Sequence, residues 1–219
     1  MRPAPSRTRA CAIANRADET AWADPQAGPT GTWDAMVAGR AGCTTHPNSE
    51  GLTMKARIEN PAMLLPGARE AFQRLGASVA STGISDTTLQ MVELRASQIN
   101  GCSGCVDIHS RALEHMDESS ERIHLIAAWR EAPYFSDGER AALALTEAMT
   151  RLADHRDPVP DEVWDAAARH FTEEQLAALV VAIASINAFN RVNVATRQIT
   201  GEWTDQIARH VVKHAAQAA

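Results

Sequence analysis

Two thiols and an imidazole are spaced in this chain so that one helix face could carry all three. Cys102 and Cys105 are separated by two residues, and His109 follows Cys105 by four. On a helix, positions i,i+3 and i,i+4 are neighbours, roughly 5–6 Å apart at Cβ. Asn100-Gly101 reads as the end of one helix, so Cys102 opens the next. Only a thiolate is a nucleophile, and a free thiol with a pKa of about 8.5 is mostly protonated at neutral pH. A helix N-terminus, a second thiol and a nearby imidazole all lower that value. His109 is placed to take the proton of Cys105 and to stabilise the anion as imidazolium. Cys102 is placed to close a disulfide once Cys105 is oxidised. The implied cycle is thiolate attack, sulfenic acid, internal disulfide and re-reduction. The same residues also suit half of a zinc site with His109 as a third ligand, a structural disulfide, or inert buried thiols. The other cysteines, Cys11 and Cys43, lie where no helical or strand period is sustained, and no second Cys-x-x-Cys occurs.

Helices must position this face. Asn60-Pro61 reads as a cap and first turn, and Leu64-Leu65-Pro66-Gly67 as a break. Residues 68–81 place Phe72, Leu75 and Val79 on one stripe closed by Gly83. Ser85 caps a helix carrying Leu89, Val92, Leu94 and Ile99 toward Gly101, and the Cys102 helix runs to about Met116. Ser119 or Ser120 starts a helix with Ile123, Ile126 and Trp129, stopped by Pro133. Ser136-x-x-Glu139 and Thr172-x-x-Gln175 are capping boxes. The first opens a helix through Leu143, Leu145, Met149 and Leu152. Between the two boxes lies a short helix with Val163, Trp164 and Ala167. The second opens the longest apolar helix, Leu176 to about Ile199, ended by Gly201. A last amphipathic stretch holds Ile207, Val211 and Val212. Trp129, Trp164 and Phe171 suit packing anchors. The fold class is all-α, with seven to nine helices. Asn187, Asn190 and Asn193 form a stripe of amides on the longest helix. They would satisfy a neighbouring helix or protomer, or line a pocket beside the thiols.

Composition agrees with packed helices: 45% of the 219 residues are hydrophobic but only 5% aromatic, and β-branched runs are short. The net charge of −6 argues against nucleic acid as a partner. With no run of about 18 apolar residues, no membrane span is expected. Arg2, Arg7 and Arg9 are followed by no apolar run, as a secretory signal would need, and a reactive cysteine pair suits a reducing compartment. A cytoplasmic location is therefore expected. Residues 1–53 carry five Arg against five Asp plus Glu, so the whole −6 falls on residues 54–219. That first stretch reads as a disordered leader, or as a mis-assigned start with translation beginning at Met54. There is no glycine-rich phosphate loop, no HExxH and no GxSxG, so no nucleotide or flavin cofactor is implied. Val106 after Cys105 excludes a c-type haem signature. No cofactor and no metal is expected.

The stretch LRASQINGCSGCVDIH, followed by AAWREAPYFSDGERAALALTEAMT and AIASINAFNRVNVATRQ, resembles the AhpD-like branch of the carboxymuconolactone decarboxylase family. The resemblance covers about Met54 to Trp203, leaving residues 204–219 as a helical tail. It implies an all-helical fold whose protomers assemble as trimers or hexamers, and an alkylhydroperoxidase or thiol-disulfide oxidoreductase activity. It implies that Cys105 attacks the peroxide, that Cys102 resolves the product, and that His109 belongs to a proton relay. The reductant would be an external dithiol, such as a lipoyl-bearing protein, or the partner would be a separate peroxiredoxin. The family relay usually includes a glutamate twelve residues before the first cysteine, and this chain has Gln90 there. Glu93, one helical turn later, presents a carboxylate from nearly the same face, either as a substitute or as a surface carboxylate paired with an arginine. Losing a positioned acid–base group costs about 10²–10⁴-fold in rate. A lactone decarboxylase needing no cysteines and a non-catalytic redox-responsive module are the alternatives.

Overall fold

The computed structural model describes residues 55–65 and 67–218; the leader expected over residues 1–53 lies outside them. Every regular element among the described residues is helical. They are α1 (Pro61–Leu64), α2 (Ala68–Ala80), α3 (Asp86–Asn100), α4 (Ser103–His115), α5 (Ser120–Leu125), α6 (Asp137–Thr150), α7 (Asp161–Ala168), α8 (Glu173–Thr196) and α9 (Glu202–Ala218). Short 3-10 turns follow α5 and α6, at Ile126–Ala128 and Leu152–Asp154. Side-chain caps set the starts. Asn60, Ser85, Ser119, Ser136 and Thr172 each accept a backbone N–H, and the boxes Ser136/Glu139 and Thr172/Gln175 both close.

Helix α3 is the shared element of the bundle, packed against α4, α6 and α8. Its Leu89 and Val92 join Leu145 of α6 and Leu179 and Ile183 of α8 in one apolar cluster. Its Met91 and Leu94 join Leu113, Ile126, Trp129, Phe135 and Leu143 in a second. A third, smaller cluster holds Ala96, Ile186 and both motif cysteines, Cys102 and Cys105. Of the tail expected over 204–219, residues 204–218 are most of α9, and that helix packs along α4.

Several expectations need correction. Helix α8 is long and apolar enough to cross a membrane by length and composition, although no such run was expected. It packs against α2, α3, α6 and α7, and its buried asparagines are bonded to neighbours, which makes it a core helix of this bundle. It ends at Thr196, before Gly201, because Arg197 takes the left-handed conformation with φ 54°. The freed carbonyls are satisfied from the segment before α1. The Arg57 backbone N–H donates to Thr196 O and its Nη1 to Ala195 O, each at 2.9 Å. The α5 helix gives way to 3-10 geometry at Ile126, where Arg140 gathers the carbonyls of Trp129, Arg130, Ala132 and Phe135. Leu75, Leu152 and Trp164, expected inside, are exposed. In α2 only Val79 is buried, since α8 is its main long-helix neighbour.

One buried carboxylate ties α3, α6 and the loop after α5 together. Glu147 accepts from Arg95 Nε at 2.7 Å, Trp129 Nε1 at 3.0 Å and Arg130 Nη1 at 2.5 Å. Burial alone would raise its pKa, but the bonds from Arg130, Trp129 and Arg95 outweigh that and hold it below the usual carboxylate value. Removing it leaves the largely buried Arg95 guanidinium with the Gln98 amide oxygen as its remaining partner among the described residues. Glu147→Ala should therefore lose about 3 kcal/mol or more of unfolding free energy. Arg130→Ala, at a side chain 58% exposed, should lose about 1 kcal/mol or less. Urea unfolding midpoints check both.

Candidate active site

The corner between α3 and α4 places the motif. Gly101 takes φ 67°, a left-handed conformation that glycine adopts without strain, and so ends α3. Cys102 follows in extended geometry as the N-cap of α4, and its Sγ accepts the backbone N–H of Cys105 at 3.3 Å. The corner is laced to α8. Asn100 Nδ2 donates to Asn187 Oδ1 at 3.0 Å and to Asn190 Oδ1 at 2.8 Å. Asn190 Nδ2 in turn donates to Ser97 Oγ at 3.1 Å. Cys102 and Cys105 are each 2% exposed and are joined as a disulfide, with Cα atoms 5.4 Å apart. That Cα separation lies inside the range disulfides adopt.

Helix α9 covers the motif helix. A Cβ at Gly104 would lie 3.4 Å from the Trp203 ring, so a hydrogen there allows the indole to lie flush. Trp203 Nε1 donates to Ile199 O, Thr204 bonds Asp107 of α4, and Asp205 meets His115 Nε2 at 3.1 Å.

His109 lies one turn beyond Cys105, and its Nδ1 faces two residues of α3. Gln90 Oε1 is 2.8 Å away and Glu93 Oε2 is 3.3 Å away. Gln90 Nε2 donates to the same Glu93 oxygen at 2.9 Å. An amide oxygen only accepts, so Nδ1 carries the hydrogen and Nε2 of the neutral ring keeps its lone pair. Nε2 has no protein partner among the described residues. Burial lowers the His109 pKa from its ordinary 6.5 to about 4, so the ring is neutral at pH 7. Burial also pushes Glu93 up to about 7, against a smaller opposing effect of the Gln90 hydrogen bond. Glu93 keeps 23% of its side chain exposed. It can therefore exchange protons with water near neutral pH, beside a ring that is uncharged and carries a lone pair on its other nitrogen.

The structure thus joins the four sequence-derived residues in two pairs, Cys102 with Cys105 in the disulfide and His109 of α4 with Glu93 of α3. Glu93 reaches the imidazole, and no arginine pairs with it among the described residues. By sequence Gln90 stands only as a lost carboxylate, yet its amide is the nearer partner of His109. The asparagine stripe divides: Asn187 and Asn190 hold the corner, and Asn193 Nδ2 donates to Cys105 Sγ at 3.3 Å. No cluster of three or more His, Cys, Asp or Glu suited to a metal occurs among the described residues.

Residues 66–148, which include Gln90, Glu93 and the whole thiol motif, match the model of the carboxymuconolactone decarboxylase family. The chain is 39% identical over 114 residues to the uncharacterized protein YdfG of Bacillus subtilis, spanning 52% of this chain and 76% of that protein. The chain belongs to the carboxymuconolactone decarboxylase family. A second relative, the uncharacterized protein YnjA of Escherichia coli, is 36% identical over 105 residues, 48% of this chain and 56% of YnjA. Among solved structures, ATU0492 of Agrobacterium tumefaciens matches at 36% identity and TM-score 0.63, covering 67% of this chain and 99% of that one. It is a protein of unknown function described provisionally as the antioxidant defence protein AhpD. The debrominase Bmp8 shares the fold at 20% identity and TM-score 0.57, over 67% of this chain and 77% of that one.

The raised Glu93 pKa has a sign. The folded carboxyl keeps its proton up to about pH 7, whereas an unfolded one releases it near 4.5. Stability contributed by this group is full below pH 4.5 and is lost as pH rises through 7. Glu93→Gln, which cannot ionise, should be more stable than wild type at pH 8. The advantage should shrink as pH falls through 7 and vanish by about 4.5. Urea midpoints of both proteins at pH 4.5, 6 and 8 check this.

Proposed function

We propose that this member of the family is a thiol-dependent hydroperoxidase with Cys105 as nucleophile and Cys102 as resolving thiol. The observation that carries this reading is the pair of bonded sulfurs at the start of α4 with, one turn along the same helix, an imidazole that burial keeps neutral and whose Nδ1–H is fixed by Gln90. In the reduced enzyme His109 Nε2 takes the Cys105 proton. The thiolate attacks the terminal oxygen of a hydroperoxide, the O–O bond breaks, and the alkoxide takes the proton back as the alcohol. Cys105 is now a sulfenic acid. The Cys102 sulfur displaces its hydroxyl, which leaves as water with the Cys102 proton, and the disulfide closes. An external dithiol, of the lipoyl kind or belonging to a partner protein, then supplies two electrons and two protons and leaves as its own disulfide.

Gln90 in place of a glutamate suits this scheme as an orienting group, since it fixes the tautomer without taking a proton. Glu93 is then the group that exchanges the proton with water and balances an imidazolium. A homo-oligomer, trimer or hexamer, belongs to the same proposal. Exposed Met63, Leu64, Leu65 and Leu75 supply apolar surface for it.

The test is hydroperoxide consumption with dihydrolipoamide as donor. Cys105→Ser should abolish turnover. Cys102→Ser should stop after about one peroxide per chain, because the sulfenic acid has no resolving thiol. His109→Gln should lower kcat/KM by about 10²–10⁴-fold. Wild-type rates in both cysteine variants would overturn the proposal. Activity on a carboxymuconolactone in the same variants would put a lyase in its place.

A further inference from the structure

Asn193 differs from the other two asparagines of its stripe. Its Nδ2 donates to Cys105 Sγ at 3.3 Å, and its Oδ1 accepts from Asn60 Nδ2 at 3.1 Å. A primary amide has one donor end and one acceptor end, so its orientation decides what the sulfur meets. That orientation is imposed from the start of α1. Residue 61 is a proline without an N–H, and the next backbone N–H, that of Ala62, donates to Asn60 Oδ1 at 2.9 Å. The oxygen of Asn60 is thus committed to a donor, so its Nδ2 is the end that faces Asn193. A donor facing Asn193 requires the acceptor Oδ1, and Asn193 Nδ2 is left facing the sulfur. The polarity of one backbone N–H passes through two amides to Cys105.

We propose that Asn193 is a catalytic hydrogen-bond donor to the Cys105 thiolate, and that Asn60 is the positioning residue that keeps its amide the right way round. This rests on the thiol chemistry proposed above. The sulfurs also share an apolar cluster with Ala96 and Ile186, and Phe189 packs against it. Apolar burial disfavours an anion, and a fixed N–H gains strength there. Each sulfur has one N–H donor of different origin. Cys102 takes the backbone N–H of Cys105, and Cys105 takes the side chain of Asn193. In the reductive step an external thiolate attacks Cys102 Sγ and forms a mixed disulfide there. The electron pair of the broken S–S bond leaves on Cys105 Sγ, where Asn193 meets it. The same donor then holds Cys105 as a thiolate for the next peroxide.

The experiment measures the Cys105 pKa in the full reduced chain, from alkylation rate against pH, with labelling at Cys105 read by peptide mass spectrometry. Cys102→Ser is the common background. Asn193→Ala should raise the pKa by about one unit. Asn193→Asp should raise it further, because it turns a negative oxygen toward the sulfur. Asn60→Asp keeps the oxygen that caps Ala62 but has no N–H for Asn193, so it should turn the Asn193 amide over and shift the pKa in the same direction. A merely structural role would leave these pKa values unmoved. An unchanged Cys105 pKa in the folded Asn193 variants would overturn the inference. If they do not fold, an unchanged value in Asn60→Asp overturns it by itself. Peroxide turnover with both cysteines present separates the two proposals. Shifted pKa values with no wild-type turnover sink the peroxidase proposal alone, and wild-type turnover with unshifted values sinks this one alone.

Discussion

The side-chain nitrogen of Asn100 is the point on which this structure turns. It bonds the side-chain oxygens of both Asn187 and Asn190, so the last residue of α3 is held against the middle of α8. A buried amide without partners costs about 1–3 kcal/mol, so other placements of this corner are disfavoured. The next residue is the left-handed Gly101 and the one after it is Cys102, the N-cap of α4. Fixing Asn100 therefore fixes where the thiol helix begins and which way its N-terminus points. It also brings the sulfurs within reach of Asn193, which lies one turn beyond Asn190 on α8.

The second constraint is electrostatic. Burial disfavours charge on His109 and on Glu93 alike, and it does so in opposite directions on their pKa values. An acid that clings to its proton and a base that refuses one stand 3.3 Å apart. A neutral pair of this kind responds to the charge beside it. An imidazolium formed by deprotonating Cys105 would be met by a carboxyl already close to ionising. Gln90 touches both groups and changes charge with neither, so the geometry survives each protonation state.

The family's helical frame buries both sulfurs at the α3–α4 corner. The sulfurs sit in a small apolar cluster, the indole of Trp203 lies over Gly104, and the segment before α1 is clipped to the end of α8 by Arg57. That clip also holds Asn60 where it can bond Asn193. Elements far apart in the chain thus act together to bury the sulfurs while giving each an N–H donor.

The capped helix starts, the end of α3 at Gly101 and the opening of the next helix at Cys102 follow from the sequence alone. Each depends on residues within one turn of each other, where caps and glycine conformations dominate. The same locality makes the thiol pair and His109 legible as one face of α4. Tertiary structure decided everything that joins distant segments. Gln90 and Glu93 lie nineteen and sixteen positions before His109, and Asn193 lies 88 positions after Cys105. Nothing in their local pattern says which of them is buried or against what. Trp164 and Leu152 show the reverse error, since an apolar side chain at helical spacing marks a face but not whether another helix covers it. Amide orientation, proton position and the raised pKa of the Glu93 carboxyl arise from the packing of α3, α4 and α8, because hydrogen-bond partners and loss of water exist only once those helices meet.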